Sequence, residues 1–195
     1  MLSIKKIRND QAGFTLVEVA IVMVIIGLLI GGVLKGQAMI ENAKAKRVVK
    51  QCDELRAAIM TFFDKYGVYP GDENLPNVPP GGGDYNNPTP NGQMGNNNTE
   101  RGDLYVDLSL ANLISGTYTG TNYAQHVYGG DVWVYWVTPL AGVTPTGHYI
   151  RFFNFPADVA LELDIKYDDG VWNSGMMVGS ADYSTVTLVN FYNRF

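Results

Sequence analysis

Residues 14–34 read FTLVEVAIVMVIIGLLIGGVL, a run of 21 residues whose one charge is Glu18. As an α-helix this run measures roughly 31 Å at ~1.5 Å per residue, about the thickness of a bilayer's hydrocarbon core. Lys5, Lys6 and Arg8 precede it. By the positive-inside rule the short leader stays in the cytoplasm and the remainder is exported. An ordinary secretory signal has a shorter apolar region, followed by a small-residue cleavage site such as A-x-A. Here the small pair Ala12-Gly13 lies before the apolar run. Processing at that point removes the leader and keeps the anchor.

Glu18 is the second informative feature. A carboxylate deep in a bilayer costs on the order of 3 kcal/mol, and such residues are usually functional. Glu18 lies four residues after Phe14, so one reading leaves it at headgroup level near the helix end. The other gives it a cationic partner. Cleavage of the Gly13-Phe14 bond frees an α-amino group on Phe14, which Glu18 of a neighbouring chain can neutralise. Such pairing inside an apolar filament core favours one subunit register over others.

The segment Gly13-Phe14-Thr15-Leu16-Val17-Glu18, after a short basic leader and before a long apolar run, resembles the processing site of type IV pilins and type II secretion pseudopilins. The resemblance covers about the first 70 residues. It implies cleavage after Gly13 by a prepilin peptidase, N-methylation of Phe14 as the mature N-terminus, and Glu18 as the assembly glutamate. The chain departs from the family where a proline often follows Gly27 by eight residues, for Lys35 stands there. Gly27/Gly31 and Gly32/Gly36 form small-xxx-small pairs that permit close helix packing, although glycine is also simply common in membrane helices.

Composition narrows the alternatives. The chain has 195 residues, 46% hydrophobic and 17% charged, with a net charge of −5. Loss of the leader removes three cations and one anion, taking the formal charge to about −7. Most basic residues precede Arg56, so no nucleic-acid partner is expected. The single cysteine, Cys52, excludes an internal disulfide. It lies on an apolar stripe made by Ala45, Val48, Cys52, Leu55, Ile59, Phe62 and Tyr66, at steps of three and four. That spacing predicts an amphipathic helix to about Tyr66, docked on a sheet.

Gly67 and Pro70-Gly71 end the helix. Residues 71–102 are rich in Gly, Pro and Asn, which predicts a long surface loop with few apolar anchors. A short helix is expected over residues 104–114, and strands over residues 131–138 and 148–155. A second short helix should open at Pro156 and run to about Tyr167. Strands over residues 176–179 and 184–192 close the sheet. Leu34-Lys35-Gly36-Gln37, Tyr69-Pro70-Gly71-Asp72, Tyr128-Gly129-Gly130 and the stretch from Leu161 to Gly170 are similar to a group of proteobacterial prepilin-like proteins, which implies a Gram-negative host.

Enzymatic signatures are lacking. His126 and His148 show no metal-binding spacing, and there is no G-x-S-x-G, P-loop or dinucleotide fingerprint. Asp164, Asp168 and Asp169 are candidate oxygen ligands for Ca²⁺, with Asp72 or Asp103 as further donors. Some secretion pseudopilins, which the chain resembles, use a calcium-bound loop near the C-terminus. No stretch has EF-hand spacing, and Asp168-Asp169-Gly170 is more simply a turn. No other cofactor is expected. The aromatics after position 100 suit either a sugar- or surface-binding patch or, more plainly, a sheet core.

The resulting expectation is an α+β, type IV pilin-like chain. It comprises a leader (1–13), a transmembrane and assembly helix (14–34), an amphipathic continuation (35–66) and a β-rich periplasmic or extracellular domain (67–195). It is not an enzyme. Its partners are further copies of itself, other pilins or pseudopilins, the prepilin peptidase and an inner-membrane assembly platform. It starts as a single-pass inner-membrane protein and ends in a periplasmic or surface filament. The rival within the class is a type II secretion pseudopilus subunit, whose helix end Tyr66-Gly67-Val68-Tyr69-Pro70 resembles. A rival of another class is a membrane-anchored binding protein that never polymerises.

Overall fold

The computed structural model describes residues 13–75, 77–80, 87, 90–95, 97–138 and 145–195. The leader up to residue 12 and parts of loop 71–102, including Gly81-Gly82-Gly83, lie outside the described residues. Two compact units result, one ending at Ala43 and one spanning Lys44–Phe195.

Helix α1 (Leu16–Tyr66) is continuous across Gly27, Gly31, Gly32 and Gly36. No proline interrupts it, since the sequence has Lys35 where a ring would remove a donor and clash with the preceding turn. Within the second unit its buried side chains are Ala45, Val48, Cys52, Leu55, Ala58, Ile59 and Phe62. This is the expected stripe with Ala58 added, and Tyr66 packs half-buried at its end. Gly67 caps the helix in a left-handed conformation (φ 74°), its N–H donating to the Phe63 carbonyl at 2.7 Å.

The sheet is antiparallel, in the order β1-β2-β3-β5-β4, from β1 (Ala124–Gln125), β2 (Asp131–Val137), β3 (Gly147–Pro156), β4 (Met177–Gly179) and β5 (Leu188–Arg194). Alternation sends Val132, Val134, Ile150, Phe152, Val189 and Phe191 to one face, where they join the α1 stripe in the main core. Helices α2 (Asn98–Leu110) and α3 (Ala157–Tyr167) add Leu104, Tyr105, Leu108, Ala160 and Leu163 to it. The opposite face carries a smaller cluster of Val137, Tyr149, Val178 and Tyr192.

Three expectations need correction. Helix α2 starts at Asn98 and ends at Leu110, earlier than residues 104–114, because Asn97 is its N-cap and accepts the N–H groups of Thr99 and Glu100. Strand β5 begins at Leu188, not 184, because Asp182 holds residues 182–185 in a turn through the Ser184 N–H and hydroxyl and through Thr185 N–H to its carbonyl. The two-residue β1 was not anticipated. The described part of the loop after α1 is pinned by buried carboxylates. Asp72 accepts from Asn87 Nδ2 and from the N–H groups of Asn91 and Gly92, and Asp107 accepts from the Gly71 N–H at 2.7 Å.

The C-terminal strand is tied to α1 by Arg56, and Asn193 Nδ2 also donates to Cys52 Sγ at 3.6 Å. Arg56 Nη2 donates to Asn193 Oδ1 and, at 2.7 Å, to the Arg194 carbonyl, while its guanidinium lies 5.9 Å from the Phe195 ring centre.

Candidate processing and assembly site

The helix begins immediately after the expected cut, and its first turn explains why. Thr15 Oγ1 accepts the Glu18 N–H at 3.2 Å, while Glu18 Oε2 accepts both the Thr15 N–H and the Thr15 hydroxyl at 2.8 Å. This is a reciprocal capping box, Thr at the cap and Glu three residues on, which satisfies two donors that a helix start leaves open. Its sequence signal is Thr15-x-x-Glu18, within the segment whose charge alone does not point to a cap. The Thr15 N–H stays an amide when the Gly13-Phe14 bond is cut, so the cap is compatible with processing.

Both bonds that the Glu18 carboxylate accepts end on Oε2. Among the described residues, Glu18 Oε1 takes no hydrogen bond. One oxygen therefore organises the helix start while the other is open to a cation from outside. Phe14 is 86% exposed and Gly13 is exposed, so the Gly13-Phe14 bond is accessible.

From Val19 to Leu34 the helix is apolar all round and unburied: Ile21, Val24, Leu28, Ile30 and Leu34 are each more than half exposed. A helix of this kind needs a membrane or a protein bundle around it. Among the described residues α1 is the one helix long and apolar enough to cross a membrane. Among the described residues the would-be Cβ positions of Gly27, Gly31, Gly32 and Gly36 meet no atom within 4 Å outside the helix's own nearby backbone.

The acidic candidates do come together. Asp164, Asp168 and Asp169 offer oxygens all within 4.8 Å of one another. The chain's own donors already engage them. Asp164 accepts from Gly170 N–H and the Tyr183 hydroxyl, Asp168 Oδ2 from the N–H groups of Met176 and Met177, and Asp169 from Val171 N–H and the Ser174 hydroxyl. So many inward donors fit an anionic corner braced by backbone, and they fit a resident divalent cation poorly. Asp72, buried on α2's side of the loop, is likewise engaged by the Asn91 and Gly92 N–H groups. Asp168→Ala should destabilise the second unit by roughly 2 kcal/mol through its two orphaned N–H groups. Millimolar Ca²⁺ should leave the melting temperature of the parent protein unchanged; a saturable rise would restore the calcium reading.

Both histidines are held by backbone groups. His126 Nε2 lies 2.7 Å from the Phe153 carbonyl and Nδ1 accepts the Tyr128 N–H, which is the neutral Nε2–H tautomer. His148 Nε2 accepts the Met94 N–H at 3.1 Å, and its ring lies among Tyr69, Trp136 and Phe195. Burial lowers the pKa of both below 6.5, partly opposed by the Phe153 carbonyl and Asp131 at His126 and by Asp72 at His148. The unfolded chain therefore binds these protons first, and folding stability should fall as pH drops below about 6.5. Asp164 acts with the opposite sign, since burial raises its pKa above 3.8 and its protonation favours the folded state at lower pH. Denaturant titrations from neutral pH to about pH 5 should show the histidine loss before any gain from Asp164. Burial pushes the Cys52 thiol up to about 12, so it is an inert core group.

Comparison with known proteins bears on the N-terminus alone. The prokaryotic N-terminal methylation motif matches residues 8–34. No curated protein and no solved structure matches the chain significantly.

Proposed function

On the premise that residues 8–34 carry the prepilin-type cleavage and methylation signature of type IV pilins and pseudopilins, we propose that the chain is a structural subunit of a type IV pilus-like filament. The motif supports a pilin or pseudopilin subunit at the level of the family, and it is a substrate signal for a prepilin peptidase. In the proposed course the leader is removed after Gly13 and Phe14 becomes the N-methylated terminus. The subunit waits in the inner membrane as a single span with its N-terminus cytoplasmic. An assembly platform then passes the helix from lipid into a bundle of like helices, with other pilins as neighbours.

The observation that carries this reading is the first turn of α1. An accessible Gly13-Phe14 bond is followed at once by a capped helix that is apolar on every side, with one carboxylate oxygen left open. Oε1 of Glu18 would meet the Phe14 amine of the adjoining subunit while Oε2 keeps its own cap. Lipid and filament core then exchange one apolar surrounding for another, and the charge pair selects the register. The domain from Lys44 onward would face the periplasm or the cell exterior.

Mass spectrometry of the mature protein, with electron microscopy of sheared surface material, tests the proposal. A chain beginning at methylated Phe14 and present in filaments is expected. A mature chain beginning at any other residue would falsify it. A secretion pseudopilus is the second reading, favoured by the Tyr66-to-Pro70 helix end that the chain shares in kind with secretion pseudopilins. Deletion of the gene separates the two, with loss of an exported protein expected from a pseudopilus and loss of surface filaments from a pilus.

A further inference from the structure

A cavity of about 560 Å³ lies between the first turns of α2, the loop at residues 119–123 and β2. It lies wholly within the second unit and plays no part in the assembly described above. Its polar lining consists of Asn98, Thr99, Asp103, Thr119 and Thr121, and its aromatic walls are Tyr123 and Trp133.

The walls are held in place before any ligand arrives. Trp133 is fixed by the Arg101 guanidinium 4.7 Å from its ring centre, by Phe153 at 4.3 Å and by Tyr123 at 5.2 Å. The loop is braced internally: Asn122 accepts from Thr119 N–H and donates to the Thr117 carbonyl, and the Thr119 and Thr121 hydroxyls lie 3.2 Å apart. It is pressed onto α2 so closely that a Cβ on Gly102 would sit 1.7 Å from the Gly120 carbonyl oxygen.

Two observations define what the cavity accepts. First, the lining sets the polar side chains of Asn98, Thr99, Asp103, Thr119 and Thr121 beside the rings of Tyr123 and Trp133. Second, among the described residues the lining carries no basic side chain. The N-terminus of α2 supplies no anion site either, since Asn97 already takes the Thr99 and Glu100 N–H groups. What remains is a set of hydroxyl, amide and carboxylate groups that both donate and accept, facing aromatic carbon. That combination suits a neutral polyhydroxylated ring, whose hydroxyls reach the polar wall while its C–H groups pack on aromatic carbon.

We propose that this cavity is a carbohydrate-binding site for a single neutral sugar ring. A ligand of that size in a partly open site binds with a Kd of about 1 mM.

The test uses the full mature chain, ¹⁵N-labelled, in a zwitterionic detergent without a sugar headgroup. Its three tryptophans give three indole N–H resonances. Methyl glycosides of glucose, galactose and N-acetylglucosamine are titrated in turn. At least one should move the Trp133 resonance saturably and leave those of Trp136 and Trp172 in place. Trp133→Phe should abolish that response. Thr121→Val, an exposed substitution that leaves the walls intact, should weaken binding about tenfold, the equivalent of one hydrogen bond. Absence of a saturable shift with every glycoside overturns the proposal. So does an equal response to acetylated amino-acid amides, or unchanged affinity in Thr121→Val. Loss of filaments in other variants has no bearing on this outcome, so the cavity and the assembly reading fail separately.

Discussion

Glu18→Ala should all but eliminate filaments while leaving cleavage after Gly13 intact. Removing one partner of a charge pair in an apolar surrounding costs about 3–5 kcal/mol. At 1.4 kcal/mol per factor of ten, the subunit concentration needed for assembly rises at least a hundredfold. The capping box allows this to be traced to charge. Glu18→Gln keeps a side chain that can still close the box on Thr15 but has no charge. Thr15→Val removes the cap, a loss of about 1 kcal/mol at the helix start, and keeps the charge. If pairing with the neighbour's amine drives assembly, Gln should fail as badly as Ala, and Val should assemble at reduced yield. The reverse order, with Gln assembling and Val not, would show that the helix start matters and the charge does not. Filament yield by electron microscopy and mature mass in the same samples decide between them.

Gly102→Ala should destabilise the second unit by about 3 kcal/mol or more, although the same exchange inside a free helix gains about 1 kcal/mol. The sign reverses because Gly102 lies inside α2 against the loop, where a methyl group would sit 1.7 Å from the Gly120 carbonyl oxygen and 2.4 Å from its carbon. Both are backbone atoms, so no rotamer change relieves the clash. Either α2 or the loop must withdraw, and Tyr105, whose hydroxyl donates to the Val132 carbonyl at 2.6 Å, ties α2 to the sheet. Denaturant unfolding followed by tryptophan fluorescence measures the loss. Stability equal to or above that of the parent protein would mean that the two backbones are not in contact.

The elements that sequence reading found are those with a strong local period. The α1 stripe from Ala45 to Phe62 repeats at three and four, and DVWVYWVT around β2 is β-branched and aromatic throughout. What escaped is of two kinds. Capping signals were present but outweighed: Asn97-x-x-Glu100 lies in a run of asparagines that reads as loop, and Thr15-x-x-Glu18 lies under a charge that invited another explanation. The rest depends on residues far apart in the chain. Strand β1 is only two residues long and exists because Ala124 and Gln125 pair with Val132 and Asp131. The sugar-sized cavity needs Asn98, Thr121 and Trp133 together, which no local pattern can bring about. The acidic candidates were correctly seen as neighbours, yet the N–H groups that engage Asp168, from Met176 and Met177, arrive from eight and nine residues downstream.

The position of β5 sets the timing of folding. The last strand among the described residues is an interior one, with β3 on one side and β4 on the other, and Arg56 fastens its end to the C-terminal part of α1. Until residues 188–194 are free to pair, β3 and β4 have no strand between them and the sheet stays open along both facing edges. A chain held short of that point presents unpaired backbone to its neighbours. The strand pairing of greatest sequence separation, β3 with β5, forms at the slowest step, so the domain closes only with its last strand.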